Sequence, residues 1–138
     1  MLEPFLSYSY IKRIDKVYII ELLTSIVINF AEKKYLQKAD QWSNQALLLA
    51  NDVKTVRGTR GAILIELGRY SEGKEMLLPL TEADNDSTDI AVSCCYIAKA
   101  DYFLGNEDKV KYWLKKAEQV GTGKQIMLRI QRELNFSI

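Results

Sequence analysis

Apolar residues recur at three- and four-residue spacing from Val17 almost to the end of the chain, and strand-like alternation is scarce. Only two prolines occur, Pro4 and Pro79. Gly68, Gly105 and Gly121 each follow an apolar-periodic run, where a left-handed terminal residue suits glycine best. Asn51 or Asp52, Asp86 or Ser87, and Asn106 can supply capping oxygens, and Thr122-Gly-Lys-Gln125 has capping-box spacing. These signals predict a leading helix near 5–15, then helices over 18–33, 36–50, 53–67, 70–83, 88–104 and 107–120. A last helix over 125–134 turns Ile126, Leu128, Ile130 and Leu134 toward the preceding elements, with Lys124, Arg129 and Arg132 toward water.

Segments of the chain also match one another. Glu66 to Leu80 aligns with Phe103 to Ala117, and Glu32 to Ala46 fits the same frame. Compact residues then coincide at Ala39, Gly73 and Val110, and again at Ala46, Leu80 and Ala117. The offsets are 34 and 37 residues, the difference falling in the polar loop Asp84-Asn-Asp-Ser-Thr88. A single helical hairpin cannot bury its apolar face, so units of this length must stack.

Repeats of this length, each a helix–turn–helix, resemble the tetratricopeptide repeat. Arg60-Gly61 followed by Leu67-Gly68-Arg69-Tyr70 is similar to the family signature. The third unit keeps Leu104-Gly105 and Ala117 but has Glu107 in place of the tyrosine. The first has Lys34 where the glycine falls. The resemblance covers about Ile20 to Lys124. It implies an all-α fold, a right-handed superhelical stack of antiparallel helix pairs forming an α-solenoid. The chain then divides into a leading helix (1–17), repeats at 18–53, 54–87 and 88–121, and a capping helix (122–138).

The resemblance also implies a binding face. The first helix of each pair in this family lines a concave groove that takes peptides or helices. In register, that places Ser25, Thr59 and Tyr96 in one stripe, Ile28, Ala62 and Lys99 in a second, and Glu32, Glu66 and Phe103 in a third. Tyr96 and Phe103 offer the large contact area typical of binding hot spots, unless they pack on the terminal helices instead. Glu32 and Glu66 add negative charge, and Lys99 is the one cation of the stripes. Relatives that grip chaperone tails use cations and amides at positions that here carry Thr24, Ile28, Thr59, Val92 and Tyr96, so that activity is not expected.

Composition narrows the chemistry further. Nineteen basic residues against eighteen acidic ones give a net charge of +1, so no bulk field recruits nucleic acid or an anionic membrane. Histidine is absent, which removes the commonest general base and metal ligand. No phosphate-cradling loop or nucleophile elbow occurs. The expectation is a non-catalytic protein with no cofactor and no metal, binding a protein or peptide partner. Asp84, Asp86 and Asp89 lack the glycine and terminal glutamate of a calcium loop and read as a turn and cap. Cys94 and Cys95 are adjacent, hence poorly placed to bridge each other, and two free thiols favour a reducing, cytoplasmic setting.

No signal peptide is legible, and the apolar stretch 17–31 is interrupted by Glu21 and shorter than the ~20 residues of a membrane span. Trp42 and Trp113 are expected in the core, and Lys109, Lys111, Lys115 and Lys116 on a solvated face. Two other functions stay open: a regulatory or assembly domain of a larger, membrane-bound protein, and a self-associating scaffold. Fold analogy alone does not choose between them.

Overall fold

Glycines at the ends of apolar runs set the architecture. The computed structural model describes residues 15, 17, 18 and 33–136. After a short 3-10 turn at Lys33–Tyr35 come α1 (Leu36–Leu49), α2 (Lys54–Glu66), α3 (Tyr70–Leu77), α4 (Ser87–Phe103), α5 (Glu107–Val120) and α6 (Lys124–Leu134). Among the described residues there is no strand, and no helix is long and apolar enough to cross a membrane. Asp15, Val17 and Tyr18 are helical, and the expected helices over 5–15 and 18–33 otherwise lie outside the described residues.

The two complete hairpins end their first helices identically. Gly68 and Gly105 are left-handed at φ 87° and 83°. Arg69 N–H reaches the Leu64 carbonyl at 2.8 Å and Gly68 N–H that of Ile65 at 3.0 Å, closing a Schellman motif. Thirty-seven residues later Asn106 and Gly105 repeat both bonds onto Asp101 and Tyr102, at 2.8 and 3.2 Å. Three-residue turns thus fold α3 back on α2 and α5 back on α4. A Cβ built on Gly73 meets the Gly61 carbonyl oxygen, so the expected compact residue is what lets α2 and α3 touch.

Among the described residues α4 is the central helix. It packs against α2, α3, α5 and α6, and eleven of its residues, from Ile90 to Asp101, are buried. Its neighbours are amphipathic by comparison. α5 buries Val110, Leu114 and Ala117 on one face, with Lys109, Lys111 and Lys115 exposed on the other. Lys116 is half-buried, 5.7 Å from the centre of the Trp113 ring. Trp42 is buried and Trp113 half-buried, with its indole N–H donating to Asp101.

Several local expectations are replaced by other solutions. Pro79 ends α3 after eight residues, and Leu78–Thr81 tightens into a 3-10 turn. Val53, not Asn51 or Asp52, starts α2, without a side-chain cap. Asp86 does cap α4, accepting from Thr88 N–H at 2.9 Å. Asn106 stands before α5, but its amide donates to the Asp101 carboxylate instead of capping. Thr122 forms no capping box, because left-handed Gly123 occupies the N-cap of α6. There a Cβ would lie 3.2 Å from that of Ala91, so the link from α5 to α6 presses on α4.

Candidate functional site

Glu66 ends α2, and one face of α4 carries Tyr96 and Lys99 beside it. The Lys99 ammonium donates to Glu66 at 3.2 Å. Thr59 and Ala62, two turns and one turn before Glu66, continue this face and border a cleft of about 110 Å³ with Ser93 and Tyr96 of α4. The sequence register therefore brought together Thr59, Ala62, Glu66, Tyr96 and Lys99. Ser25, Ile28 and Glu32 lie outside the described residues.

This face is covered. α6 lies on α4 and inserts Ile126, Ile130 and Leu134 into the core. Arg129, expected to face water, turns inward: its guanidinium donates to the Tyr96 hydroxyl and sits 3.5 Å from Glu66. Glu133, one turn on, accepts from Lys99 at 2.7 Å. Leu128, expected to be buried, is instead 46% exposed. The reason is helical phase. Arg129 and Glu133 stand three and seven residues after Ile126, on its face, whereas Leu128 is two residues on and points away.

Tyr96 is consequently fully buried and Lys99 nearly so. Neither is open to a ligand while α6 is seated, which corrects the expectation of an open groove at these two positions. Burial pushes the Tyr96 hydroxyl far above its ordinary range, and the Glu66 carboxylate adds to the rise. Desolvation pulls the Arg129 pKa down, but Tyr96, Glu66 and Glu133 outweigh it, and the guanidinium is held charged.

Phe103 does not join this set. Its ring stacks on Tyr70 at 5.0 Å and 9°, edge-on to Tyr102, and stays half exposed at the end of α4. Cys94 and Cys95 are buried, and desolvation pushes their thiols up to about 11 and about 12. Neither is an activated nucleophile. Among the described residues no group of three His, Cys, Asp or Glu side chains could hold a metal ion. No family model matches the chain, nor does any curated protein or solved structure.

Proposed function

We propose that this chain is a non-catalytic protein-interaction module of the tetratricopeptide type, in which the α2–α4 face receives a helix or peptide from a partner. One observation carries the reading: that face already holds an amphipathic helix through a complementary set, Glu66 and Lys99 against Arg129 and Glu133. The recurrence of one Schellman turn at a 37-residue offset supports a repeat origin. On this reading the helix pairs wind into a right-handed superhelix and the α2–α4 face is its concave side. Two cysteines left unbridged suit a reducing, cytoplasmic setting.

The test is affinity capture on the full chain, comparing the wild type with Thr59→Arg and Lys115→Ala. Thr59 is half-buried at the cleft, and Lys115 is exposed on α5, away from it. Circular dichroism checks that both variants stay helical. A protein lost with Thr59→Arg and kept with Lys115→Ala supports the reading. A partner indifferent to Thr59→Arg rules out this face. A mass that rises with concentration, without any other protein, points to self-association instead.

A further inference from the structure

α6 is held in place by its contacts more than by its own sequence. It has eleven residues, no side-chain cap and no acidic residue in its first turn, which begins instead with Lys124. A lysine there opposes the helix dipole, and isolated helices shorter than ~12–15 residues are marginal in water. Its link to α5 is the strap Gly121-Thr122-Gly123, with both glycines left-handed at φ 81° and 66°. It packs chiefly on α4 and only slightly on α5. Its helicity therefore depends on docking.

The docking contacts read a pattern. Ile126, Ile130 and Leu134 supply three apolar anchors one turn apart. Between them Arg129 meets Glu66 and Tyr96, and Glu133 meets Lys99. The receiving face offers an acid and a base in fixed order, so a helix lying in the reverse direction sets like charges together. That arrangement selects orientation and register as well as apolar area.

We infer that α6 is an internal stand-in for the partner. Resting on the interaction reading above, this names the ligand: an amphipathic helix with the order apolar-x-x-Arg-apolar-x-x-acid-apolar, which displaces α6 and takes its contacts. The tether gives α6 an effective concentration in the millimolar range, so the closed form admits only ligands that better its fit. Charge complementarity with Glu66 and Lys99 selects a partner helix of this type over a merely apolar one.

The probe is a fluorescent synthetic peptide of residues 122–136, titrated into the full chain. Ile130→Asp removes the central anchor of the tethered helix. This variant binds the probe at least tenfold more tightly than the wild type, because its own α6 no longer competes. A probe carrying Arg129→Glu and Glu133→Arg loses that gain, and adding Glu66→Arg and Lys99→Glu to the Ile130→Asp chain restores it. Equal binding to the wild type and Ile130→Asp overturns the inference, as does indifference to the charge exchange. Hydrogen exchange on the unaltered chain covers the case in which Ile130→Asp does not fold. Amides of 126–134 then exchange as a unit at least tenfold faster than those of 94–98. Exchange of α6 only at the slowest rate of α4 overturns the proposal. A captured partner that the probe cannot displace defeats this inference alone. Probe exchange without any partner sensitive to Thr59→Arg defeats the interaction reading and leaves the exchange of α6 standing.

Discussion

Gly61 and Gly73 meet backbone to backbone: a Cβ on Gly73 would stand 2.6 Å from the Gly61 carbonyl oxygen and 2.5 Å from Ile65 Cγ1. The first of those obstacles is main chain and cannot rotate away. Gly73→Ala therefore destabilises the protein by roughly 1–3 kcal/mol through overpacking, even though alanine is the better helix former. At Gly105 nothing lies within 4 Å and only the positive φ resists substitution. Gly105→Ala costs about 1–2 kcal/mol from backbone strain alone. Urea unfolding followed by circular dichroism measures both. Equal tolerance of alanine at Gly73 and at an exposed helical site contradicts the close approach of α2 and α3.

The hairpins are joined by ion pairs of opposite polarity. Asp40 of α1 accepts from Arg60 of α2, which also donates to the Asp40 carbonyl and Ser43 Oγ, each at 3.0 Å. Lys74, 34 residues after Asp40, is a base that donates to the acid Asp101 of α4 at 2.7 Å. Asp40→Lys faces a nearly buried Arg60 with a like charge and costs roughly 2–3 kcal/mol, because only Asp40 has water to retreat to. Adding Arg60→Asp recovers part of the loss, and a double-mutant cycle gives a coupling of about 1–2 kcal/mol. Additive losses remove the pair as a register device.

Asp101 has no exposed surface, and its carboxylate is shared among three donors: Lys74 of α3, Asn106 of the turn and Trp113 of α5. Removing it strands all three at once. Asp101→Ala lowers stability by roughly 3–5 kcal/mol, the range for breaking a buried pair from one side. Lys74→Ala costs less, since Asn106 and Trp113 still satisfy the carboxylate. Chemical denaturation of the two variants decides the order, and a larger loss for Lys74→Ala excludes Asp101 as the hub.

The same details explain what was legible in the sequence. Most described helix limits came out within a residue or two because Gly68, Gly105 and Gly121 mark ends that no side chain contests, whereas α3, expected to reach 83, stops at Leu77 before Pro79. Caps were less readable, because a polar residue at a helix start has other offers: Asn106 turns to Asp101, a partner fixed only by the tertiary fold. Glu66, Tyr96 and Lys99 were all legible as candidates and do meet, since Ala62 and Glu66 on one helix, and Tyr96 and Lys99 on the other, lie four and three residues apart and so share a face. What it missed was the occupant. Arg129 reads as surface by residue type and as interior by phase, and phase decides its place. Positions 126, 129, 130, 133 and 134 share one face of any regular helix, so the signal was present. That a cation belongs there depends on Glu66 and Tyr96, residues 63 and 33 positions earlier.

The buried thiols give the protein an alkaline limit. Burial raises Cys94 to about 11 and Cys95 to about 12 from an ordinary value near 9. The folded state therefore holds its thiol protons more tightly than the unfolded chain does. Between these limits the unfolded state binds fewer protons, so stability falls as pH rises. It is intact below about pH 8.5, where thiols are protonated in both states, and declines from there through pH 11. Unfolding midpoints in urea at intervals from pH 7 to 11 trace that decline. Cys94→Ala with Cys95→Ala flattens the slope across pH 9–11, although it lowers the plateau by removing packed sulfur. At pH 8 a thiol-specific reagent labels the wild type at the rate of opening rather than the rate of the free thiol. Immediate labelling of both cysteines contradicts the burial of this face of α4, and an unchanged slope in the double variant assigns the decline to other groups.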